Sequence, residues 1–101
     1  MSWIESRIAN RLVKLRKAGG DAIVALTALG VKAAIIGSTI HGRINTQSDL
    51  DILVLDEAGV DPLLILRTVE SLTDLPVDLV FAKETDPRAV AIMMREASYG
   101  H

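Results

Sequence analysis

Ala33-Ala34-Ile35-Ile36-Gly37-Ser38-Thr39-Ile40-His41-Gly42-Arg43-Ile44-Asn45-Thr46-Gln47-Ser48-Asp49-Leu50-Asp51-Ile52-Leu53-Val54-Leu55 holds two apolar runs, with a glycine-serine turn after the first and two aspartates opening the second. Successive side chains of a strand point to opposite faces, so Asp49 and Asp51 project the same way, about 6–7 Å apart along the chain. Leu53 and Leu55 continue that face, and Leu50, Ile52 and Val54 form the other. A strand apolar on both faces is an interior strand covered by helices. Two acids at its start therefore sit where the core opens to a cleft.

Two carboxylates at this spacing suit a hard cation, since Mg²⁺ takes oxygen ligands at about 2.0–2.1 Å and leaves positions for water and substrate phosphates. The turn supplies the complementary chemistry. Glycine lets the backbone approach a ligand closely, and successive N–H groups form an anion-binding concavity. A helix opening after Gly37 would add the positive end of its dipole, and the Ser38 hydroxyl would donate to a phosphate oxygen. The plain alternative makes Ser38 a helix cap and Ser48-Asp49 a closing turn. A Ser38 cap is compatible with phosphate binding, whereas a closing turn at Ser48-Asp49 is the alternative to a metal site.

Gly37-Ser38, ten residues, then Asp49-x-Asp51 resembles the signature of the nucleotidyltransferase superfamily with the DNA polymerase beta-like fold, in particular its minimal nucleotidyltransferase (MNT) branch. Gly42 falls where that branch has a second glycine, Asp78 in Pro76-Val77-Asp78-Leu79-Val80-Phe81 matches the third acid, and Arg95-Glu96-Ala97-Ser98-Tyr99 is similar to the closing helix. Thr39 and His41 stand where the branch commonly carries arginines, which leaves Arg43 as the nearest cation.

The resemblance implies a Mg²⁺-dependent transfer of AMP from ATP to a hydroxyl. Asp49, Asp51 and Asp78 are then the catalytic and metal-holding residues, around two Mg²⁺ ions, and Gly37, Ser38 and Arg43 face the triphosphate. It also implies a partner, a helical HEPN-domain protein carrying the acceptor tyrosine, with this chain as the antitoxin of a toxin–antitoxin pair. Two other functions remain open: a module of the same fold that neutralises its partner by contact alone, and a small-molecule nucleotidyltransferase subunit.

The 101 residues, half of them hydrophobic, suit one small domain spanning 1–101. Cysteine is absent and the two histidines are scattered, which excludes disulfides and disfavours structural zinc. No signal-peptide layout or membrane-length apolar run occurs, so a soluble cytoplasmic protein is expected. The net charge of −2 is unevenly spread: residues 1–20 carry Arg7, Arg11, Lys14, Arg16 and Lys17 against Glu5, whereas residues 49–86 hold ten acids against Arg67 and Lys83. An acidic half fits a metal cleft and disfavours direct nucleic-acid binding, and the basic segment reads as a solvated helix face.

Ser2 to Glu5 forms a capping box, and Ile4, Ile8, Leu12 and Leu15 recur at helical spacing until Gly19-Gly20, where a helix stop is expected. Asp21 would cap a second helix, Ala22 to Leu29, ended by Gly30. Strands are expected at Val31 to Ile36, Asp49 to Leu55 and Val77 to Ala82, and helices from Asp61-Pro62 to about Thr73 and from Asp86-Pro87 through Arg95. The fold class is α/β (α+β), a small mixed sheet of three or so strands flanked by helices.

Overall fold

A computed structural model describes residues 3–36 and 50–98. The order is α1 (Trp3–Ala28), β1 (Lys32–Ile36), β2 (Leu50–Asp56), α2 (Pro62–Glu70), β3 (Val77–Phe81), a 3-10 turn (Ala82–Glu84) and α3 (Pro87–Ser98). The three strands form one mixed sheet in the order β1-β2-β3, with β1 antiparallel and β3 parallel to the central β2.

Gly19-Gly20 does not stop the first helix. Trp3–Ala28 is continuous, which corrects the expectation of two helices. Each interior glycine costs a helix about 1 kcal/mol relative to alanine, and packing supplies the reason for one of them. A Cβ on Gly19 would lie 3.2 Å from both Cγ1 and Cδ1 of Ile35 and 3.7 Å from Cδ1 of Leu50, so the bare backbone lets α1 lie close on the sheet. Gly20 faces open space. Asp21, expected to cap a second helix, instead accepts a hydrogen bond at 3.0 Å from Lys17 one turn earlier.

The expected stop at Gly30 is real. Gly30 has φ +83°, its N–H donates to the Thr27 carbonyl at 2.9 Å, and the Val31 N–H donates to the Leu26 carbonyl at 2.9 Å. This is a Schellman cap, and buried Val31 and Leu26 supply the apolar contact that accompanies it.

Pro62 opens α2, and the Asp61 carboxylate accepts the Leu63 N–H at 2.8 Å. The helix ends at Glu70, short of the expected Thr73, where the Leu72 N–H turns to the Val69 carbonyl at 3.0 Å in a tighter bond one residue shorter than the helical one. Thr68 donates to the Leu64 carbonyl and Ser71 to the Thr68 carbonyl, both at 2.7 Å. Asp86 caps α3 by accepting the Arg88 N–H at 2.8 Å.

The central strand is buried on both faces, as its sequence implies. On one face Leu50, Ile52 and Val54 join Leu15, Ala18, Ala22 and Leu26 of α1 and Ile65 and Val69 of α2 in the main core. On the other, Ile36 and Leu53 form a smaller cluster covered by Val90, Met93 and Met94 of α3. At about 25 cal/mol per Å² of apolar surface, both layers contribute to stability, and together they fix which way Asp51 faces. No helix among the described residues is long and apolar enough to cross a membrane.

Candidate functional site

Strand register builds the site. Ile36 of β1 pairs with Asp51 of β2, and Asp51 pairs with Asp78 of β3. Directly paired residues on neighbouring strands share a face, and the strands lie about 4.7–4.9 Å apart. Ile36, Asp51 and Asp78 thus form one row across one end of the sheet, on the face that α3 covers further along. Asp51 is half-buried and Asp78 exposed.

Of the candidate residues, the structure brings Asp51 and Asp78 together. Gly37, Ser38, Arg43 and Asp49 lie outside the described residues. Chain connectivity alone joins Gly37 to Ile36, the β1 member of the row, and Asp49 to Leu50, beside its β2 member. Among the described residues no three histidine, cysteine or carboxylate side chains gather as a metal site. The described pair offers oxygen donors from two adjacent strands, the donor chemistry a hard divalent cation takes.

Acid opposite acid has an electrostatic consequence. Like charges on directly paired strand residues are destabilising, and a cation held between Asp51 and Asp78 would offset that cost. Sequence parity places each acid on an open face. It does not reveal that the two are paired, because that register depends on the β2–α2–β3 crossover.

The far end of the ladder carries a pair that the sequence reading missed. Lys83 and Glu57 form an ion pair at 2.6 Å, the Glu57 side chain being only 13% exposed. The hydrogen bond and the charge of Glu57 raise the Lys83 pKa above its ordinary 10.5. The other Glu57 oxygen, Oε1, is buried and has no hydrogen-bond partner among the described residues. Glu57 and Lys83 also line a cavity of about 490 Å³ with Asp56, Asp61 and the intervening loop. No sequence signal joins them, since they are 26 residues apart and meet only through strand pairing.

A mixed three-stranded sheet with helices on both faces, and acids paired across the end of its parallel strands, defines a protein of the nucleotidyltransferase fold. No protein-family model and no curated protein matches the chain. Two solved chains do, among them one described as a minimal nucleotidyltransferase, an assigned rather than demonstrated activity. It is 30% identical with a TM-score of 0.72, over 85% of this chain and 92% of that one. The chain belongs to the minimal nucleotidyltransferase family.

Proposed function

We propose that this chain transfers AMP from ATP to a hydroxyl group, the acceptor being a tyrosine of a helical HEPN-domain partner that the transfer neutralises. The observation that carries the reading is the pairing of Asp51 with Asp78 on one face at the sheet end, in the row whose β1 member, Ile36, immediately precedes Gly37-Ser38. Asp49, Asp51 and Asp78 would hold Mg²⁺, as two ions. When bound, the metal supplies charge stabilisation for the attacking and leaving oxygens of an in-line displacement.

The chain's own groups perform the rest. Backbone N–H groups at Gly37 and the Ser38 hydroxyl bind phosphate oxygens, and Arg43 offsets their charge. The Asp78 carboxylate takes the proton of the acceptor hydroxyl. The acceptor oxygen then bonds to the α-phosphorus, the bond from that phosphorus to the bridging oxygen breaks, and pyrophosphate leaves. The exposure of Asp78 supports its role toward an acceptor that arrives from outside.

The test is label transfer from ATP labelled at the α-phosphate to a HEPN-family partner, comparing this protein with Asp49→Asn/Asp51→Asn. Label that enters the partner and is lost in the variant is the expected result. Tight partner binding by both forms without transfer would replace this reading with a contact-only module. Label appearing only on small hydroxyl compounds would point to a small-molecule transferase subunit.

A further inference from the structure

Val77–Phe81 is an edge strand among the described residues, and it is built as though a neighbour were due. None of its five residues is buried, whereas four of the seven in β2 are. The Leu50 N–H donates to the Pro76 carbonyl at 2.8 Å, which fixes the phase of the backbone. Asp78 and Val80 turn their peptide groups toward β2, and Val77, Leu79 and Phe81 turn theirs outward. The Phe81 carbonyl accepts from the Thr85 hydroxyl at 2.8 Å. The outward N–H groups of Val77, Leu79 and Phe81 have no partner among the described residues.

Access to Asp78 narrows what can sit there. Its inner side is taken by β2, one sheet face is packed by α1 and α2, and the other is covered beyond the aspartate row by α3. Among the described residues the open approach is across the outer edge of β3. We infer that this edge takes an extended segment of the acceptor polypeptide as a fourth strand, setting a hydroxyl side chain beside Asp78. The inference rests on the transfer reading above.

Charge selects the occupant. Exposed Asp78 and Asp74 make this edge acidic, which suits a segment flanked by lysine or arginine. A second copy fits worse, because antiparallel pairing of two β3 edges through Leu79 sets two Asp78 residues on one face about 7–8 Å apart. Main-chain pairing supplies affinity in such strand addition, and alternate side chains supply selectivity.

The probe is a synthetic lysine-flanked peptide of alternating valine and tyrosine, with a counterpart N-methylated at each valine and tyrosine so that it cannot pair as a strand. Amide hydrogen exchange of β3 is read with each peptide, and label transfer from ATP is read in parallel. The expected result is exchange at Leu79 and Phe81 slowed at least about tenfold by the unmodified peptide alone, with label on its tyrosine. Slowed exchange without label upholds the docking edge and counts against the transfer reading. Exchange unchanged by excess peptide overturns the inference, whether or not label is transferred. Slow exchange in the protein alone, with a dimer mass in solution, overturns it in favour of a second copy.

Discussion

The two ends of the β2–β3 ladder carry opposite arrangements of charge. At the start, Asp51 faces Asp78, acid on acid. Just past the far end, a largely buried Glu57 is held by Lys83, acid on base. The second arrangement is what stability alone would select, since a carboxylate taken from water needs a compensating charge. The first is not what stability alone would select, and it is the arrangement that a cation-holding role, as proposed above, would account for. The two ends of one parallel pair thus separate an acid that is paired for the fold from the acids proposed to serve chemistry.

The comparison breaks most decisively at the acidic end. Asp49→Asn/Asp51→Asn is expected to lose transfer by several kcal/mol, on the order of a thousandfold in rate, while its unfolding midpoint in urea stays close to that of the parent. Loss of the fold along with the activity would remove the distinction between the ends. Next in size is metal linkage. Mg²⁺ at a hundred times its dissociation constant should stabilise the parent by about 2.7 kcal/mol, visible as a rise in thermal midpoint, and Asp78→Asn should reduce that rise. An equal rise in both proteins would place the cation elsewhere.

The basic end should respond in stability and not in chemistry. Lys83→Met leaves the Glu57 carboxylate largely buried without its partner and is expected to lower the urea midpoint, and adding Glu57→Gln should recover part of the loss. The pH dependence follows in sign. Because the folded-state pKa of Lys83 is raised above 10.5, its contribution is fully present below that value and is lost as pH rises through the folded pKa. Urea unfolding at about pH 9 and about pH 11.5 should therefore show a loss that Lys83→Met lacks. The smallest effect is the relief of like charges: without Mg²⁺, Asp78→Asn should stabilise by about 0.2–1 kcal/mol.

How much of this was legible in the sequence depended on whether the signal was local. Gly30, Asp61-Pro62 and Asp86-Pro87 mark helix ends through hydrogen bonds to residues a few positions away, and the structure has those bonds. Period-two alternation gave the two apolar faces of β2. Gly19-Gly20 misled because the contact that explains Gly19, against Ile35, is made across the fold. The α2 end misled because its last turn tightens, with the Leu72 N–H on the Val69 carbonyl and the Ser71 hydroxyl on the Thr68 carbonyl. The candidate site was legible as residue types and spacing. That the acids of β2 and β3 meet at one edge was expected, whereas the exact register of Asp51 with Asp78 was not legible, since a crossover of twenty residues sets it.

The most direct test of the central claim, that the acidic end is the cation site, is paramagnetic broadening of backbone amide signals by substoichiometric Mn²⁺ in the presence of a non-hydrolysable ATP analogue. Selective broadening at Asp51 and Asp78, reversed by excess Mg²⁺ with Glu57 and Lys83 unaffected, is the result this account requires. Broadening centred on Glu57 and Asp61, or none at Asp51 and Asp78, would contradict it.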